Sequence, residues 1–87
     1  MNMQQYIDTL FQQKSQDGFV GKELVKEVIK ECAKNYKHEF QNVDNPLTAT
    51  IFMGIENQIY QIAISRGVYI SREEVVAEIA KGFCHYR

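Results

Sequence analysis

Proline occurs once in this chain, cysteine twice and glycine five times in 87 residues. Each scarcity excludes something. Two cysteines, Cys32 and Cys84, are too few for the dense disulfide framework of a secreted mini-protein, which points to a reduced, intracellular setting. They also lack the close pairing, such as C-x2-C, that a structural zinc site needs. Cys32, His38, Cys84 and His85 do not assemble one by spacing. There is no surplus of either charge. The net charge of −1 gives no general attraction to nucleic acid or anionic lipid. No apolar run reaches the roughly 18 residues of a membrane span. The start, MNMQQYIDTLFQQ, has no cationic segment leading into an apolar one, so it does not read as a signal peptide. No Ser/His/Asp or Cys/His order and no glycine-rich phosphate loop is present. The paired carboxylates Glu73 and Glu74 fall on different helix faces. A non-enzymatic protein without cofactor or metal is expected.

What is present is helical periodicity. A hydrophobic share of 45% and a charged share of 24% suit a single globular domain over residues 1–87, small enough to gain from oligomerisation or a ligand. Residues 2–14 place Met3, Tyr6, Ile7, Leu10 and Phe11 on one stripe, and SQDGFVG then makes a turn. Residues 21–38 put Leu24, Val25, Val28, Ile29, Cys32, Ala33 and Tyr36 on one face. Opposite them, Glu23, Glu27 and Glu31 each precede a lysine by three residues, the favourable order for helix ion pairs.

The break QNVDNP supplies Asn45 as an N-cap and Pro46 as first helical residue. The helix over 46–66 is the most apolar. Leu47, Ile51, Ile55, Ile59, Ile62 and Ala63 form a core stripe, while Phe52, Met53, Tyr60 and Ile64 lie off it. A helix apolar on more than one side is either central or covered by another subunit, and in a short chain the second is expected at least in part. Gly54 inside it costs about 1 kcal/mol against alanine, which suggests that another backbone approaches there. Gly67 offers a left-handed C-cap. After the connector Val68-Tyr69-Ile70, residues 72–84 form a last helix with Val75, Val76, Ile79, Ala80 and Phe83 inward. The expected fold is all-α: a small four-helix domain with a C-terminal helical hairpin.

That hairpin has the outline of a DNA-binding helix-turn-helix. Its second helix, however, carries Glu73, Glu74 and Glu78 and only Arg72 as an early cation, a charge balance that argues against reading duplex DNA. Ser71 and Glu74 fit a capping box, S-x-x-E. Among the lysines of the second helix, Lys34 and Lys37 stand where acidic partners thin out and Tyr36, His38 and Phe40 gather, a chemistry suited to a nucleotide. Core packing of Tyr36 and Phe40 is the plainer alternative.

Pro46-Leu47-Thr48-Ala49 opening one helix, Ala63 late in it, and Ser71-Arg72-Glu73 opening the next resemble the helical hairpin of phage anti-CBASS proteins that sequester cyclic nucleotides. The resemblance spans residues 46–83, less than half the chain. It implies a small helical homo-oligomer, joined through the 46–66 helix, that binds cyclic di- or trinucleotide signals in the cytoplasm of an infected bacterial host. Thr48 and Arg72 are then the first ligand-binding candidates. Arg66, Lys37, Tyr36, Phe40 and Tyr69 follow from their chemistry alone. Two other classes remain open: a protein-binding inhibitor or regulator, such as an antitoxin, immunity protein or counter-defence factor, and a DNA-binding regulator.

Overall fold

A computed structural model of the chain describes residues 2–38 and 46–86, the last four of these by their backbone alone. Four helices follow in order: α1 (Met3–Gln16), α2 (Gly21–Asn35), α3 (Pro46–Ser65) and α4 (Arg72–Tyr86). The fold is the expected small all-α domain. α1 and α4 each pack on both α2 and α3, and α2 touches α3 more lightly. α4 runs back along α3 as a hairpin, so Arg72 lies beside Tyr60 and Glu56, and Ala80 beside Phe52.

Local chemistry sets the helix ends. α1 begins with a capping box that the residues Asn2-Met3-Gln4-Gln5 encode: the Gln5 N–H donates to Asn2 Oδ1 at 2.8 Å, and the Asn2 N–H donates to Gln5 Oε1. α1 and α3 end alike. In α1 the Gly18 and Phe19 N–H groups donate to the carbonyls of Ser15 and Lys14, and in α3 those of Gly67 and Val68 donate to Ile64 and Ala63. Gly18 and Gly67 have φ of +100° and +78°, the left-handed residue of a Schellman cap, which a Cβ would disfavour. α2 stops at Asn35 rather than running on to residue 38. Tyr36 leaves the helical region with φ −107° and ψ 32°.

α4 opens with the expected Ser71/Glu74 box. The Glu74 N–H donates to Ser71 Oγ at 3.1 Å, and the Ser71 N–H donates to Glu74 Oε1. Glu74 also meets Lys22 Nζ at 2.7 Å, so one carboxylate caps α4 and ties it to α2. The hydrogen bond from Lys22 holds the Glu74 carboxyl below its usual value against the opposing effect of burial, with smaller help from the Ser71 hydrogen bonds and the Lys22 charge. A depressed carboxylate pKa adds stability that is present above the unfolded value and is lost as pH falls through the folded one. Ser71→Ala is expected to cost about 1 kcal/mol at neutral pH. Glu74→Gln should flatten the acid limb of the stability profile. Urea titrations at neutral and acidic pH check both, and an unchanged midpoint for Ser71→Ala would contradict the cap.

The core is assembled from Ile7, Leu10 and Phe11 of α1, the α2 stripe from Leu24 to Ala33, Ile55, Ile59, Ile62 and Ala63 of α3, and Val75 and Ile79 of α4. The connector also contributes: Val68 and Ile70 point in and Tyr69 points out. Several expectations are corrected. Leu47 is not on the core stripe but 66% exposed, and Thr48 takes the buried position beside it. At about 100° per residue Thr48 falls within about 20° of Ile55 round the helix, whereas Leu47 falls about 80° away and so lies outside the buried stripe. Val76 and Ala80 face outward, and among the described side chains of α4 Val75 and Ile79 fill the core. Among the described residues Gly54 meets no backbone beyond its own turn of helix: a Cβ there would find nothing else within 4 Å. Of the three Glu–Lys pairs expected on α2, Glu23–Lys26 and Glu27–Lys30 form, while Glu31 pairs with Lys14 of α1. Asn45 and the side chain of Phe83 lie outside the described residues.

Candidate functional site

The predicted ligand residues do not converge. Thr48 is 5% exposed, a buried position inside α3. Arg66, at the end of α3, donates to Asp8 Oδ1 at 3.1 Å, and its guanidinium sits 5.8 Å from the centre of the Phe11 ring. It fastens α3 to α1. Tyr36 is half-buried at the end of α2, edge-on to Tyr6 with ring centres 5.9 Å apart, and its hydroxyl faces Met3 Sδ. Tyr6 in turn accepts a hydrogen bond from the Asn35 amide, and burial pushes its phenol pKa up. The plainer reading of Tyr36, as packing, is the one its surroundings match. Lys37 is exposed next to it. Tyr69 stands 94% exposed on the connector. Phe40 lies outside the described residues.

Arg72 is the exception, because it sits at the edge of a surface feature. Its guanidinium lies 4.5 Å from the Tyr60 ring centre and 3.5 Å from Glu56 Oε1. From there a groove of about 230 Å³ runs between α3 and α4, lined by Phe52, Met53, Glu56, Val76, Ile79 and Ala80. Met53 is 68% exposed and Val76 47%. The groove continues onto the outward face of α3, which carries Leu47, Thr50, Met53, Asn57, Gln61 and Ile64. No outward residue of α3 is charged, and Glu56 is the single charged residue between Pro46 and Ser65. The outward face of α2, with Lys22, Glu23, Lys30 and Lys34, is the ordinary solvated alternative.

A second groove, of about 350 Å³, lies between α2 and α4 over Ile29 and Ala33, with Lys26, Lys30 and Lys81 around it. Each of these lysines is held by a glutamate three residues before it: Glu23 at 3.6 Å, Glu27 at 3.0 Å and Glu78 at 3.1 Å. The hydrogen bond that Lys30 Nζ donates to Glu27 Oε2 raises the Lys30 pKa. The cations are therefore locally neutralised and do not form a concentrated anion site.

Cys32 is fully buried, and desolvation pushes its thiol up to about 12, so it is an inert core group rather than a nucleophile or ligand. Among the described residues no group of His, Cys, Asp and Glu side chains is placed to hold a metal. No helix of the described residues is long and apolar enough to cross a membrane. The signal that sequence reasoning underused was the run of uncharged outward positions on α3, which spacing alone does not separate from the core stripe. No protein family, no curated protein and no solved structure matches the chain.

Proposed function

We propose that this chain is a non-enzymatic binding protein whose recognition surface is the outer side of the α3–α4 hairpin, and that the surface docks another polypeptide. The observation that carries the reading is the chargeless outward face of a 20-residue helix in a chain with 24% charged residues. The centre of a protein interface is depleted in charge, because an ion buried without a partner costs several kcal/mol. Met53 and Val76 supply apolar anchors, and Asn57 and Gln61 supply side-chain donors and acceptors that can be satisfied across an interface. These features support docking of a polypeptide over binding of a nucleotide. Helical peptides displayed on phage and selected on the wild-type chain test it. Enriched peptides that lose binding to Met53→Lys support the reading, and enriched peptides indifferent to that substitution overturn it.

A second reading, the cyclic-nucleotide sponge, keeps one supporting observation. Arg72 and Tyr60 set a cation and an aromatic plane side by side at the end of the same face, the combination that phosphate and base recognition uses. Glu56 opposes it by already occupying the guanidinium. Titration calorimetry with a panel of cyclic di- and trinucleotides tests it. Binding weakened by Arg72→Ala supports a sponge, and absence of heat with every member removes it.

A further inference from the structure

We infer that the occupant of the α3 face is a second copy of this chain, packed antiparallel across a two-fold axis near Ile55, one residue from Gly54. This deepens the docking reading and rests on it. The order of outward residues along α3 makes the case: Leu47, Thr50, Met53, then Asn57, Gln61, Ile64. Read from either end, the face begins with a branched aliphatic side chain, continues with a hydrogen-bonding one, and meets near Ile55 and Glu56. In a two-fold contact, residue i of one copy faces residue j of the other and j faces i. An antiparallel copy centred there sets Leu47 against Ile64, Thr50 against Gln61 and Met53 against Asn57. Both outer pairs match in kind: aliphatic against aliphatic, and hydroxyl against amide. A parallel copy would set each residue against itself at one level and would make no use of this symmetry.

Gly54 supports the same axis. Among the described residues, nothing outside its own turn of helix comes within 4 Å of the place its Cβ would take, so no such contact there requires the glycine. A helix crossing at that point would approach the bare backbone closely, which is what an interior glycine permits. The size is sufficient. α3 has 20 residues. It is therefore roughly 30 Å long and, with α4 beside it, presents a face about 18 Å wide, on the order of 500 Å² per copy. Two copies then bury on the order of 1,000 Å², the lower bound for a specific association. Along α3 no like charges meet, since the opposed outward residues of that helix are all neutral.

Cysteine pairing tests the register. Met53→Cys and Asn57→Cys chains, both carrying Cys84→Ser so that only buried Cys32 remains, are mixed in equal amounts and mildly oxidised. The expected product is dominated by the unlike pair, well above the half that random pairing yields. A random mixture of products, or no covalent dimer, overturns the second-copy inference. The docking reading is scored separately by its Met53→Lys peptide test, so the two failures are distinguishable. Gly54→Ala gives an independent readout. Its dimer should dissociate roughly tenfold more readily, while the dilute monomer melts slightly higher because alanine favours the helix. A Gly54→Ala dimer as tight as wild type would overturn the close approach.

Discussion

Phe11→Ala is expected to destabilise the chain by about 3–5 kcal/mol. An 87-residue domain has only about 4–13 kcal/mol to lose, so much or all of the fold is at stake. The reason is positional. Phe11 is among the largest fully buried side chains, on the helix that packs against both α2 and α3. Its ring also supports the Arg66 guanidinium, which in turn pairs with Asp8 and fastens the end of α3. Removing the ring therefore opens a cavity and loosens the α1–α3 tie. Urea denaturation followed by circular dichroism is the check. A midpoint within the error of wild type would mean that α1 is not an integral part of the core.

Asn57→Lys is expected to weaken self-association by about 100-fold or more, equivalent to roughly 2.7 kcal/mol or more. The same substitution should change monomer stability by about 0.5 kcal/mol or less, because Asn57 is exposed and makes no packing contact in the core. Near a two-fold axis each lysine brings its own symmetry mate, so two like charges are desolvated together. Sedimentation velocity over a concentration series measures the association, and urea titration measures the stability. An unchanged dissociation constant would place position 57 outside any interface. A fall in monomer stability of several kcal/mol would mean that α3 is oriented differently.

The helices and most of the core could be read from the sequence because their signals are local. Gly67 as a C-cap, Ser71–Glu74 as an N-cap and the α2 stripe from Leu24 to Ala33 each depend on residues a few positions apart, and each is found where expected. The Asn2–Gln5 box was just as local. It passed unnoticed only because asparagine with glutamine is a less familiar form of the motif. The errors arise where three-dimensional neighbours decide. Leu47 and Thr48 are adjacent, and hydrophobicity favours the leucine for the core, but the threonine is the one buried: it falls about 20° round the helix from Ile55, and Leu47 about 80°. Val76 and Ala80 fit an inward stripe by spacing, yet α4 has only α2 and α3 to lean on and leaves that side open.

The candidate site was harder to read than the fold. Residue types suited to a nucleotide are scattered: Tyr36 is used in an aromatic pair, Arg66 in an ion pair and Thr48 in the interior. Only Arg72 lies on the surface that the structure singles out. The surplus apolar character of α3 was visible in the sequence, but not which part of it remains outside. Phe52 and Tyr60 turn toward the core, and Met53 and Ile64 do not. Chargelessness of an outward face can be recognised only once outward positions are known.

The most direct measurement is a dilution series of backbone amide chemical shifts, from millimolar to micromolar wild-type chain. Docking of α3 on a second α3 predicts concentration-dependent shifts concentrated at Thr50, Met53, Asn57 and Gln61, with the Lys22–Lys34 face of α2 silent. Shifts that never change over that range, or that change on α2 and leave α3 still, would contradict it.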